Sequence, residues 1–276
     1  MDHCYDLHSH STASDGRLAP AALVRRAAAH GVTALALTDH DTVTGLPEAS
    51  AEAERIGMRL ISGAELSAAW EGRSLHVVGL GIDPEHPRLR DGLERLQALR
   101  RERAERMDRR LGQKRIHGVL EEARALAGDA MVTRTHFARV LMRRGYGSSL
   151  DHVFRHFLRR GKPGYVKTEW PVLAEAVDWI RAAGGVAVLA HPLAYGLTRT
   201  WLRRICTAFA EMGGRGVEVV TGTSGANAVE SAAALARRSG LAASVGSDFH
   251  DPEMPWVELG RLRPLPPDLV PVWQLL

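Results

Sequence analysis

The chain has only two cysteines in 276 residues, Cys4 and Cys206, too few for a disulfide framework. Neither lies in a CxxC or Cys/His pattern, and both read as buried small hydrophobes. Aromatic residues make up 5% of the chain, and no basic strip is interleaved with them, so a base-stacking surface for single-stranded nucleic acid is not written in the linear sequence. No apolar run approaches the roughly 20 residues that span a bilayer, and the N-terminus lacks a basic segment followed by an apolar one. The expectation is a cytoplasmic protein with no membrane association and no obligate protein partner. Repeats of fixed period and low-complexity tracts are also missing; only 262–271 is proline-rich and expected to be irregular.

Hydrophobic content of 45% and charged content of 25% suit an ordinary globular chain with a sizeable core. The net charge of +4 hides a blockwise layout: residues 88–167 carry 21 Lys and Arg against 9 Asp and Glu, whereas the remainder carries 15 against 23. A basic middle suggests an anionic ligand, and acidic flanks suggest carboxylates neutralised by bound cations. Most individual arginines of 100–115 read as a solvated helical face.

The run Tyr5-Asp6-Leu7-His8-Ser9-His10 alternates, so a strand here turns Asp6, His8 and His10 to one face. That polar face requires a metal, a substrate or water. Beyond it, helices are expected over 20–31, 48–57, 171–184, 200–212 and 227–239, and strands over 33–38, 59–65, 74–79, 186–190, 216–220 and 243–246. Strands alternating with helices predict parallel βα units, seven strands in all. Residues 86–166 break this rhythm with helical segments at 88–126, 135–144 and 150–159. They are read as an inserted basic, substrate-binding subdomain between barrel portions 1–85 and 167–276.

Polar side chains recur at or beside strand ends, which in a barrel gather on one rim. The pooled candidates are His8, His10, Asp15, His40, Glu65, His76, His191, Asp248 and His250. Six imidazoles and three carboxylates exceed what one ion with four to six ligands takes up, so two or three divalent metals are implied. Mixed nitrogen and oxygen donors suit manganese, zinc or iron, with magnesium favouring a more oxygen-rich site.

Six motifs, DLHSHSTASDG at 6–16, TDHDT at 38–42, GAELS at 63–67, LHVVG at 75–79, AHP at 190–192 and GSDFH at 246–250, together closely resemble the PHP (polymerase and histidinol phosphatase) superfamily. The resemblance implies an α/β fold, a distorted seven-stranded β/α barrel, TIM-like, whose mouth holds three metals. Carried over by motif, His8, His10, Glu65 and Asp248 would hold the first; Glu65, His76 and His191 the second; Asp15, His40 and His250 the third. Many relatives have histidine where this chain has Asp15, and a carboxylate there opens the third site to manganese or magnesium. Asp6 and Asp39 are cast as groups that orient neighbouring imidazoles.

TRTHFARVLMRRG at 133–145 and GKPGYV at 161–166 look like the subgroup acting on 3′,5′-nucleoside bisphosphates, some members of which trim short RNA from the 5′ end. The implied reaction is removal of the 3′-phosphate by metal-activated hydroxide, with Arg134, His136, Arg160 and Lys162 binding phosphate and His191, Asp248 and His250 at the reacting centre. A 5′-3′ exoribonuclease is the alternative; histidinol phosphatase and a non-catalytic scaffold fit the filled motifs less well.

Overall fold

The computed structural model describes residues 4–254 and 256–276. Among them, seven strands pair in chain order: β1 (Tyr5–Asp6), β2 (Ala34–Leu37), β3 (Arg59–Trp70), β4 (Arg73–Leu80), β5 (Val186–Leu189), β6 (Gly216–Thr221) and β7 (Ala242–Gly246). Leu7 N donates to Val245 O at 3.0 Å and Asp248 N to His8 O at 2.8 Å, which brings β7 back to β1 and nearly closes a barrel. Gly246 permits that approach, since a Cβ there would stand 2.3 Å from His8 Cβ. Strand segments such as ALAL and VAVL are buried on both faces, as befits strands filled from within and covered by helices outside. Leu7, Ala36, Ile61, Val78 and Val188 meet in one core, to which the C-terminal turn Val272–Leu275 adds Val272.

The expected parallel rhythm fails at one place. β3 and β4 form an antiparallel hairpin, and β4 is antiparallel to β5 as well. Only Glu71 and Gly72 separate β3 from β4, far short of the dozen or so residues that a parallel crossover needs. Both have positive φ, 44° and 74°, the two-residue turn whose twist matches a hairpin. β3 also continues past Glu65 to Trp70, so Glu65 lies mid-strand and the hairpin extends beyond it. Cys206 is buried as expected, but Cys4 is only half-buried.

The helices are α1 (Pro20–Ala29), α2 (Leu46–Ile56), α3 (Pro87–Gly112), α4 (Val119–Ala127), α5 (Arg134–Arg143), α6 (Leu150–Val153), α7 (Leu173–Ala182), α8 (Arg199–Glu211) and α9 (Ala226–Ser239). The helical run expected over 88–126 breaks between α3 and α4, where Arg115 and Gly118 take φ of 61° and 68°. α3 serves two cores. Leu89, Leu93 and Leu96 pack with the barrel's outer layer, whereas Ala104, Met107 and Leu111 pack with α4, α5 and Leu158 in a separate cluster. No helix of the described residues is long and apolar enough to cross a membrane.

One ion-pair group ties α1 to α2. Glu52 accepts from Arg55 at 2.7 Å and from Arg25 at 3.1 Å, and these hold its carboxyl at about 2. An unfolded Glu titrates near ~4.3, so the pairing stabilises the fold above that pH and is lost as pH falls through its folded value. Glu52→Gln is expected to be less stable than wild type at neutral pH, with the difference shrinking toward pH 2 in urea titrations across that range.

Candidate metal centre

The nine pooled side chains stand together at one end of the barrel. His8 Nε2 lies 3.1 Å from His10 Nε2, and each is 3.5 Å from Glu65 Oε2; Asp248 Oδ1 lies 3.5 Å from the former and 3.3 Å from the latter. Two donors about 2.1 Å from a shared ion at ordinary ligand angles stand about 3.0–3.4 Å apart, so this spacing fits a metal. Glu65 Oε1 faces His76 Nδ1 and His191 Nε2, both at 2.9 Å, so its two oxygens look into two different groups. Asp15 Oδ1 completes a third, 3.3 Å from His250 Nε2 and 3.8 Å from His40 Nε2. His40 Nδ1 turns back to Glu65 Oε2 at 2.7 Å.

β4's reversed direction explains how His76 arrives here. It lies opposite Ser67 in the hairpin, near the start of β4, and only an antiparallel strand brings its start to the rim where β1, β5 and β7 end. Backbone strain marks the same place: His191 has φ of 27° and Asp248 of 55°. Such values are sparsely populated and persist where the surroundings fix them.

Charge supports cation binding. Burial by itself would raise the Glu65 carboxyl, yet the imidazoles of His76, His40 and His8 hold it well below the usual range. Asp15 is likewise held down, against burial, by His40 and His250. Burial, with the His250 and His40 rings beside it, pushes His10 down to about 3, and burial brings His76 to about 4 against the pull of Glu65. His10 and His76 are thus held in the neutral form that ligates metals, whereas against burial the carboxylates beside them raise His8 and His191, and raise His250 to about 9, so a bound cation would take the place of protons on those three rings. Nδ1 of His10 and His191 is buried with no hydrogen-bond partner, and Asp15 Oδ1, Glu65 Oε2 and His40 Nδ1 are buried with imidazole or carboxylate neighbours but no well-aligned hydrogen bond. Buried polar atoms rarely go unmatched without an ion or water to satisfy them. The donor set therefore fits divalent metals.

Asp6 and Asp39 do other work than orienting imidazoles. Asp6 accepts from Ser247 N and Gly260 N at 2.8 and 2.9 Å, tying down the chain beside Asp248. Asp39 accepts from Ser11 N, Ser11 Oγ and Ser14 Oγ, which shapes the loop that carries Asp15. The orienting role falls instead to Glu218, which the sequence reading missed. Its Oε1 meets His8 Nδ1 at 2.7 Å and its Oε2 accepts from His191 N at 2.5 Å. A register shift between Glu218 and Val220 in β6 re-aims the chain at this point. An acid amid the apolar GVEVV strand was the available signal. Tyr195 was missed too; its hydroxyl bridges His76 N and Ala190 O, both at 2.9 Å. Glu218→Gln is expected to weaken metal affinity roughly 10–100-fold, the usual cost of removing a ligand's orienting partner, as read by competition with a chelating dye.

A cavity of about 100 Å³ joins Asp15, His40 and His76 to Arg100, Arg103 and Arg134. Arg100 and Arg103 were read as part of a solvated face; the fold buries Arg100 and half-buries Arg103 at the junction of the two cores. Arg100 donates to Asp41 Oδ2 at 2.5 Å and to Ser67 Oγ at 2.9 Å. Arg103 Nε is buried without a partner. Burial, with Arg134 and Arg100 nearby, holds the Arg103 guanidinium well below its ordinary value. Arg103 and Arg134 have no ion-pair partner among the described residues and lie over the Trp170 and Phe154 rings, the kind of desolvated charge that an anion would offset.

The other sequence candidates are dispersed. His136 Nδ1 accepts from Thr133 N at 3.0 Å, capping α5, and burial pushes the ring down to about 4. It is therefore a neutral group rather than a cationic clamp. Arg160 lines an outer groove next to the cavity, and Lys162 is exposed and lines neither.

A model of the PHP domain matches residues 6–186. The chain is 47% identical to the 5′-3′ exoribonuclease Rnm of Escherichia coli (strain K12), over 98% of this chain and 93% of that one. It is 44% identical to the 3′,5′-nucleoside bisphosphate phosphatase of Chromobacterium violaceum, over 98% and 95%. A solved amidohydrolase from Chromobacterium violaceum, with bound sulfate and no metal, superposes with a TM-score of 0.94 at 43% identity, covering 99% of this chain and 95% of that one.

Proposed function

The chain belongs to the PHP family and is a hydrolase, and from that premise we propose that it removes the 3′-phosphate from 3′,5′-nucleoside bisphosphates with the help of divalent metals. The observation that carries this reading is one cavity with metal donors on one wall and buried, unpaired arginine on the other.

His8, His10, Glu65 and Asp248 would hold one ion, Glu65, His76 and His191 a second, and Asp15, His40 and His250 a third. Manganese ranks first, since Asp15 gives the third group a hard oxygen donor; zinc, iron and magnesium are the alternatives. Bound ions of this kind acidify water and neutralise charge building on phosphate. The chain's own residues do the rest. Arg103 and Arg134 hold the second phosphate, which fixes the scissile one at the metal donors. Water adds to phosphorus in line with the ribose oxygen, the P–O bond to ribose breaks, and the proton that the water gives up passes to the leaving oxygen through whichever of His191 and His250 is not holding an ion. Tyr165, which lines both the cavity and the groove outside it, offers a ring face to the nucleoside, which extends from the cavity into that groove. A nucleotide substrate suits a cytoplasmic enzyme.

The test is inorganic phosphate release from adenosine 3′,5′-bisphosphate by the full chain reconstituted with manganese. Release of AMP and phosphate is expected; no turnover with manganese, zinc, iron or magnesium overturns the reading. The second reading, hydrolysis from the 5′ end of short RNA, is favoured by the 47% identity to an exoribonuclease.

A further inference from the structure

The cavity beside the metal centre does not end there. It opens outward into a groove of about 380 Å³ that shares Ser74, Tyr165, Thr168 and Trp170 with it. One wall is the tip of the β3–β4 hairpin. The other is the segment that returns from residue 165 to the barrel, held alongside by Ala69 N donating to Pro171 O at 2.8 Å. Ser74 and His76 are two residues apart on β4, about 7 Å, so the groove begins one step outside the metal donors.

Cations stand on both walls: Arg73 on the hairpin, Arg160 and Lys167 on the returning segment, against a single acid, Glu169. None of the three cations has an ion-pair partner among the described residues. Arg73 is also ordered in advance, its guanidinium 4.7 Å over the Trp201 ring. Arg204 lies 4.7 Å over the same ring and 5.5 Å over Trp70, and pairs with Glu71 at 2.7 Å. Folding thus assembles from three distant segments the basic, aromatic strip that the linear sequence does not display.

Phosphate stoichiometry decides what this strip is for. A nucleoside bisphosphate brings two phosphates, and the metal donors and the buried arginines account for both. An inner cavity of about 100 Å³ is room for a phosphate, not for a nucleotide chain. The outer cations have no phosphate left to meet unless the substrate continues. We propose that the groove between the hairpin tip and the 165–171 segment binds the nucleotides beyond the first in a short single-stranded RNA, with backbone phosphates on Arg73 and Lys167 and a base stacked on the Arg73 plane. The inference rests on the nucleotide-phosphohydrolase reading and extends it to an oligonucleotide substrate.

The experiment compares the wild-type full chain with Arg73→Ala/Lys167→Ala and with Lys167→Glu alone. A 5′-phosphorylated, 3′-labelled ribopentanucleotide is followed by fluorescence anisotropy in metal-free buffer and by product analysis with manganese; adenosine 3′,5′-bisphosphate is the control substrate. The double variant should bind the pentanucleotide at least tenfold more weakly, with a salt slope shallower by about 1 to 1.5 log units. Its turnover of the bisphosphate should stay within twofold. Lys167→Glu should weaken RNA binding in the same direction and guards against a structural effect of losing Arg73 from its stack. Unchanged RNA affinity, or equal losses on RNA and bisphosphate, overturns the proposal. Because anisotropy is read without metal, a protein that turns over neither substrate refutes the catalytic reading and still reports on the groove.

Discussion

Asp248→Asn is expected to lower phosphate release on the order of 10³-fold and to leave the barrel folded. The loss follows from position: Asp248 Oδ1 stands within 3.3–3.5 Å of His8 Nε2 and His10 Nε2, and 3.5 Å from His250 Nδ1. It is the anionic donor between two of the proposed metal groups. Removing one preorganised charge from a site where phosphate charge develops costs several kcal/mol of barrier, which is this factor. The fold survives because asparagine tolerates the left-handed backbone nearly as well as aspartate, and φ here is 55°. Turnover by the reconstituted variant and its circular dichroism are read together. Wild-type turnover would remove Asp248 from the centre.

Arg103→Met is expected to lower kcat/KM for the bisphosphate roughly 10–100-fold, the worth of a charge-assisted hydrogen bond of about 1.5–3 kcal/mol, while the melting temperature holds or rises. The two effects point in opposite directions for one reason. In the free protein Arg103 is a half-buried cation beside Arg100 and Arg134, with Nε unpartnered, so removing its charge relieves repulsion and desolvation. In the substrate complex the same charge meets a phosphate. A structural arginine would instead lose stability on truncation. Lysine is not expected to restore activity at this position, because a point charge lacks the guanidinium's planar fork.

The candidate metal centre was legible as a cluster because its residues are polar in places where an α/β chain has apolar ones. His76 interrupts LHVVG, and Asp248 and His250 follow an apolar strand. What the sequence concealed was direction and depth. Periodicity says that 73–80 is a strand but not which way it runs; the two-residue turn at Glu71 and Gly72 was the decisive mark. Arg100 occupies the stripe of α3 that otherwise reads Leu89, Leu93, Leu96, Ala104, Met107, Leu111. That spacing shows it faces a core, yet only the folded insert shows that the core opens onto the metal donors. Glu218 carried the same mark, a single acid in a short apolar strand, but it lies inside β6 rather than at the strand end, where the polar residues were sought. The aromatic strip was out of reach altogether, since Trp70, Trp201 and Tyr165 come from a hairpin, a helix and a loop. Of the blockwise charge layout, the cavity takes Asp15 from the acidic flanks and Arg100, Arg103 and Arg134 from the basic middle.

The measurement closest to the central claim is metal content. After reconstitution with manganese and removal of loose ions, elemental analysis of wild type should give about two to three ions per chain, the number nine such donors support. His8→Ala removes a donor fully buried beside Glu65, Asp248 and Glu218. It should lose at least one ion per chain with its circular dichroism unchanged. A folded His8→Ala protein that keeps the full wild-type complement of metal would contradict the account.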